Sequence, residues 1–341
     1  MNRLKIALAA FALLISTLAC ATLVGEEFPE TAIPEAPVTE APVIEEFLSC
    51  PVITNQIIEV NSSYLVQGEA ETMDYGDRDE DTTTYIVTYL VSGDDINNPN
   101  VENVTADLQD EQDDTAAHQK SWEYFTTLIP LENRGSLAEF SIITDGQDNL
   151  LAAVAQTYDD PTLWGLEVDI ADTQDYYYLS YTLVHEFAHL LTLGANQVPP
   201  NEAVFNNPDD NDLYLNEVAA CPNFFPGEGC ANSDSYINEY YNQFWANIYD
   251  EWNNINLEEN DDIYYERLDK FYYDYQDQFL TDYSVTDPAE DIAEAFSFFV
   301  FSEKPAGDTI AEQKILFFYN YPELINLRTH IVNNLCASFP Q

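Results

Sequence analysis

Two of the chain's four histidines stand four residues apart around a glutamate, in "SYTLVHEFAHLLTLG" at 180–194. On a helix, His185 and His189 share one face a turn apart, so both imidazoles can reach a single ion. Glu186 sits beside that face, where a carboxylate can take a proton from water polarised by a metal. The H-E-x-x-H spelling therefore points to metal-assisted hydrolysis. That chemistry also needs a third ligand and a helix to hold the first two.

The helix is expected on independent grounds. Asp172 or Thr173 can cap a segment running over 173–194 and stopping at Gly194, with Leu179, Leu183 and Leu190 in its apolar stripe. Upstream, "NQIIEV" (55–60) and "TYIVTYLVS" (84–92) are β-rich, and a helix is expected near His118 and Trp122. Residues 137–146 and 150–161 read as paired strands. "WGLEVDI" (164–170) alternates, which predicts a half-buried strand with Gly165, Glu167 and Asp169 on an exposed face.

A second helix is predicted over 286–300, "TDPAEDIAEAFSFFV", where Asp287 caps and Pro288 opens the first turn. Glu290 and Glu294 lie on one face among Ile292, Ala293, Phe296 and Phe299. In so acidic a chain such a pair can be a solvated face, but its apolar setting favours burial, and a buried carboxylate needs a cation. An acid of this helix is thus the favoured third ligand. His118 and His330 are the histidine rivals. Asp291 points about 100° away from Glu290 on an ideal helix and is expected to be replaceable.

With these residues in view, the chain resembles the zincin metallopeptidases: Thr182, Leu183, Val184, Phe187, Ala188, Leu190 and Leu191 also fit the extended active-site pattern. The metzincin branch is excluded by Thr192 and Ala195. "YSVTDPAEDIAEAF" (283–296) is similar to the second-helix segment of the anthrax lethal factor type of peptidase. That resemblance implies Glu290 as zinc ligand, Glu294 as orienting partner of His185 or His189, and Tyr283 as the phenol facing a developing oxyanion. The stretch between His189 and Glu290 is longer than is usual there, and the resemblance says nothing about residues 50–130.

The implied fold is α+β and zincin-like: a small twisted sheet, an active-site helix and a mainly helical C-terminal lobe. The implied activity is a secreted Zn²⁺-dependent endopeptidase acting on peptide or protein substrates. A zinc-activated water would attack with Glu186 as general base, and the edge of Trp164–Ile170 would hold substrate as an added strand. The alternative is a non-catalytic cell-surface binding or scaffolding protein that keeps zinc for structure.

Where the protein works is bounded by its start and its cysteines. Residues 1–19 read as an export signal, with Arg3 and Lys5 before the apolar run Ile6–Leu18. "TLAC" at 17–20 resembles a bacterial lipoprotein box, which implies membrane attachment through a lipidated Cys20, although Leu18 and Thr17 depart from the usual pattern. Cleavage after Ala21 is the rival. Residues 20–48, rich in Pro and Glu, read as an extended tether, and 49–341 as the folded domain. That domain divides into a β-rich part 49–171, the active-site helix 173–194, an insertion 195–282 and a ligand helix with C-terminal lobe 283–341.

Without Cys20 four cysteines remain, an even set for an oxidising compartment. Cys221 with Cys230 would staple a local loop, and Cys50 with Cys336 would bracket the domain.

The 10 basic and 62 acidic residues leave a net charge of −52, which argues against nucleic acid as a partner. The charge reads as a solvated surface. If it extends into the cleft, cationic peptides are favoured at low salt. The acidic "DDND" at 209–212 is a weak calcium candidate. The aromatic-rich stretches 235–256 and 260–280 read as packing helices. Oligomeric state leaves no trace in the sequence.

Overall fold

The computed structural model describes residues 49–64, 83–146, 150–258 and 260–340. The export signal, most of the tether and Cys20 lie outside these residues. All the described residues belong to one unit, 44–341.

Five strands build one mixed sheet: β1 (Thr84–Ser92), β2 (Asp95–Val101), β3 (Leu137–Thr144), β4 (Ala152–Gln156) and β5 (Trp164–Asp169). Their order is β2-β1-β3-β5-β4. The β3/β5 pair is parallel, and the other three pairings are antiparallel. The fold class is α+β, as expected.

Three local expectations change. Residues 55–60 lie in the helix Pro51–Tyr64 instead of a strand. Within "PVITNQIIEVNSSY", Ile57 is fully buried and packs into the common core, so tertiary contact overrides the β-branched preference. Next, β3 and β4 are not paired, because β5 inserts between them. Finally, Glu167 and Asp169 do not face solvent: as an interior strand, β5 is covered on both sides and both carboxylates are buried. Glu167 accepts from Tyr85 Oη at 2.7 Å, and Asp169 accepts from the Asp145 and Ala171 N–H groups at 2.8 Å each.

The helix near Trp122 forms as expected, over Thr115–Leu128, with Asp114 capping it through Ala117 N–H. Its Trp122 meets Phe140 of β3 at a ring separation of 5.3 Å, which fastens it to the sheet. The histidine helix spans Tyr176–Leu193 and starts slightly later than 173, because Asp175 is the cap and accepts from Tyr177 and Tyr178 N–H. It ends at Gly194, where a Cβ would sit 2.7 Å from the Leu190 carbonyl oxygen. Only glycine permits that approach.

The glutamate helix spans Pro288–Phe301, with Asp287 capping Ala289 N–H and Pro288 in the first turn. Phe187 and Phe296 pack across the two helices at 6.1 Å. Within the insertion, Asn211–Ala220 is a helix capped by Asp210.

Both expected disulfides form, Cys50–Cys336 and Cys221–Cys230. They place the chain in an extracellular or otherwise oxidising setting. No helix among the described residues is long and apolar enough to cross a membrane.

Candidate metal centre

The two helices bring three donor atoms together. His185 Nε2 lies 3.0 Å from Glu290 Oε2, His189 Nε2 lies 3.2 Å from His185 Nε2, and His189 Nε2 lies 3.3 Å from the same Glu290 oxygen. A tetrahedral ion with bonds of about 2.0–2.1 Å separates its ligands by about 3.3 Å, so the triangle matches one face of such a shell. Two imidazole nitrogens and one carboxylate oxygen also suit zinc chemically. Together His185, His189 and Glu290 can hold a metal ion.

The expected partners fall into place around this triangle. Glu294 Oε1 accepts from His185 Nδ1 at 2.9 Å, which leaves Nε2 for a metal. Its other oxygen accepts from Tyr181 Oη at 2.9 Å and Thr281 Oγ1 at 2.8 Å. Neither Tyr181 nor Thr281 is found by reading the sequence. Tyr181 has a faint signal, standing one helical turn before His185, and Thr281 has none.

Tyr283 is half-buried with its ring 5.9 Å from His185. Glu186 is buried, on the helix that packs against β4. The geometry thus gathers all six expected residues.

Charge is unbalanced here. Burial pushes the Glu186 carboxyl up, only partly opposed by the fields of His185 and His189. Burial also works against charge on both imidazoles, yet the bonds and fields of Glu290 and Glu294 outweigh it at His185, and those of Glu290 at His189, so both are raised. The same imidazoles hold Glu290 well below the usual carboxylate range despite its burial. Burial and the surrounding carboxylates push the Tyr283 phenol well up, which keeps it protonated. Three carboxylates facing two histidines form a cradle for a cation.

The rival ligands are occupied elsewhere. His118 is fully buried between Tyr89 Oη at 2.9 Å and the Glu111 carbonyl at 2.8 Å, and His330 Nε2 bonds Asn334 Nδ2 at 2.9 Å. Asp291 corrects the sequence reading: far from replaceable, it is completely buried and paired with Lys314 at 2.6 Å. The calcium candidate at 209–212 forms no metal-ligating group. Among the described residues a further acidic group, Asp145, Asp169 and Asp172, brings its oxygens within 4.8 Å of one another. There Asp169 spends its carboxylate on the backbone N–H groups of the turns that flank β5.

No protein-family model matches this chain, and neither a curated protein nor a solved structure matches it.

Proposed function

We propose that the chain is a zinc metallopeptidase of the zincin type, similar to the lethal factor class, exported and tethered through a lipidated Cys20. The observation that carries this is the convergence of His185, His189 and Glu290 on one point with buried Glu186 alongside. A structural zinc site has no use for a buried, uncompensated base.

His185, His189 and Glu290 would hold the ion, which supplies Lewis acidity towards water and a peptide carbonyl. Glu186 takes the proton of the attacking water and passes it to the leaving amine, a cycle that suits a carboxyl raised by burial. Tyr283 donates its hydroxyl hydrogen to the carbonyl oxygen as charge develops there. Glu294 keeps the proton of His185 on Nδ1, assisted by Tyr181 and Thr281.

The substrate strand needs a different edge from the one the sequence suggests. Trp164–Ile170 cannot offer it, because β5 has β3 and β4 on its two sides. The sheet's edges are β2 and β4, and β4 is the edge that packs against the histidine helix carrying Glu186. An extended peptide adding to β4 would bring its backbone past Glu186.

Zinc content and hydrolysis of denatured casein, compared between the parent and Glu186→Gln, test the proposal. The variant should retain zinc and lose turnover roughly 100- to 10,000-fold. Zinc without turnover in both proteins would assign the site to a non-catalytic surface protein.

A further inference from the structure

Glu294 is gripped at both oxygens, and its partners come from two different places. His185 Nδ1 donates to Oε1 and Tyr181 Oη to Oε2, each at 2.9 Å and each from the histidine helix. Thr281 Oγ1 donates to Oε2 at 2.8 Å from outside that helix. It stands two residues before Tyr283, in the turn that leads into the glutamate helix. Tyr181, Thr281 and Glu294 are all buried, so water does not replace a lost bond.

The Thr281 hydroxyl is used to capacity. A hydroxyl offers one hydrogen and two acceptor lone pairs. Its hydrogen goes to the Glu294 carboxylate. Ser284 Oγ, 3.0 Å away, therefore donates its own hydrogen to Thr281, and Ser284 N–H donates to the same oxygen at 3.2 Å. Thr281 and the fully buried Ser284 thus bracket Asp282 and Tyr283.

Within the bracket, the Tyr283 backbone is held on both sides. Its N–H donates to the Asp282 carboxylate at 2.9 Å. Its carbonyl accepts from Thr286 N–H at 3.0 Å and from Thr286 Oγ1 at 2.8 Å. Trp252 Nε1 fastens the far end of the turn through the Val285 carbonyl at 2.8 Å. A turn so stiff moves as a unit, so its anchors set where the Tyr283 ring stands, 5.9 Å from that of His185. The anchor on the side of the metal donors is the Thr281–Glu294 bond.

We propose that Thr281 is a positioning residue that couples the metal ligand His185 to the phenol of Tyr283. Its hydroxyl holds Glu294 against His185 and, through Ser284, ties the Tyr283 turn to the same carboxylate. This rests on the peptidase reading above, which gives Tyr283 its work. One hydrogen bond thus sets both the direction of the imidazole and the place of the phenol, and its loss disturbs both.

The test compares full-length Thr281→Val, which keeps the shape without the hydroxyl, with Thr281→Ser, which keeps the hydroxyl. Circular dichroism checks that each is folded. In Thr281→Val, zinc affinity by chelator competition should fall about 10-fold, the scale of one hydrogen bond to a charged group. At saturating zinc, kcat on a casein-derived peptide should fall roughly 10- to 100-fold with KM nearly unchanged. Thr281→Ser should restore both. Should Thr281→Val fail to fold, Thr281→Ala carries the same comparison.

Two further backgrounds show through whom Thr281 acts. With Glu294→Ala already present, Thr281→Val should no longer change zinc affinity. With Tyr283→Phe present, it should no longer change kcat. A hydroxyl that serves the turn alone lowers only the melting temperature, so zinc affinity or kcat equal to the parent's would overturn the coupling. Effects that persist undiminished in those backgrounds would overturn it too. A parent that binds zinc and hydrolyses nothing overturns the peptidase reading instead, and the zinc measurements then decide the hold of Thr281 on Glu294.

Discussion

Glu290 and Asp291 are neighbours on one helix, and their surroundings differ in a way that separates a site from a strut. Asp291 is fully buried and carries its own counter-charge: Lys314 at 2.6 Å, Trp245 Nε1 at 2.8 Å and Tyr240 Oη at 2.9 Å. Lys314 is also fully buried, 4.1 Å from the centre of the Phe279 ring. That ion pair is neutral as a whole, although Asp291 Oδ1 itself meets no hydrogen-bond donor. On the other face, among the described residues, the ion-pair partners of Glu290 and Glu294 are His185 and His189 alone, and Glu186 lies beside the same two imidazoles. The comparison teaches that a buried acid with its own lysine builds structure, whereas buried acids that outnumber their cations prepare for one from outside.

Exchanging the effects of the two neighbours would break this comparison. Asp291→Ala or Lys314→Ala strands a buried charge and should lower the unfolding free energy by about 3–5 kcal/mol in urea titrations. Glu290→Ala should leave the fold intact by circular dichroism while the metal is lost. If Asp291→Ala lost zinc without loss of stability and Glu290→Ala kept it, the two faces would have been assigned the wrong way round.

Next in size is Tyr283→Phe. It should keep metal and fold but lower turnover by roughly 100- to 1,000-fold, the scale of one oxyanion donor. Unchanged turnover would confine Tyr283 to packing beside His185.

Glu294→Ala should weaken zinc about 10- to 100-fold, measured by chelator competition, because His185 loses the partner that fixes its proton on Nδ1. Equal zinc affinity in parent and variant would show that Tyr181, Thr281 and Glu294 serve packing alone.

The smallest expected effect is on pH dependence. Burial pushes Glu228 and Asp287 up to about 7, above their unfolded values of about 4. Their protonated forms favour the folded chain, a contribution complete below about pH 4 and lost as pH rises towards 7. Glu290, held low, acts in the opposite sense, and its contribution is lost only on acidification. The metal-free protein should therefore lose stability between about pH 4 and 7, and Glu228→Gln should reduce that loss. Identical pH profiles for parent and variant would contradict an uncompensated Glu228.

The candidate site was unusually legible because its signals are local. His185, Glu186 and His189 lie within one turn of a helix whose stop at Gly194 can be read directly. Glu290 and Glu294 follow an Asp-Pro start that caps as expected. Cys221 and Cys230 are close enough in the chain to suggest their own bond. Elsewhere, helix periodicity says nothing about what lies across an interface. Asp291 looked dispensable because Lys314 approaches it from another segment. Thr281 gave no signal because its partner Glu294 is fixed only when the two helices dock. Residues 55–60 look like a strand until Ile57 is buried in the core.

By itself, then, the sequence determined the donor types, their helical spacing, both disulfides and an acidic chain suited to an oxidising setting, because each depends on neighbours in the chain or on simple counting. Tertiary structure alone decided which strands lie at the edges, since β5 could insert between β3 and β4 only through long-range pairing. It also decided which buried acids are neutralised. That balance depends on cations and donors arriving from distant segments: Asp291 meets Lys314, while Glu228 Oε2 meets no hydrogen-bond donor.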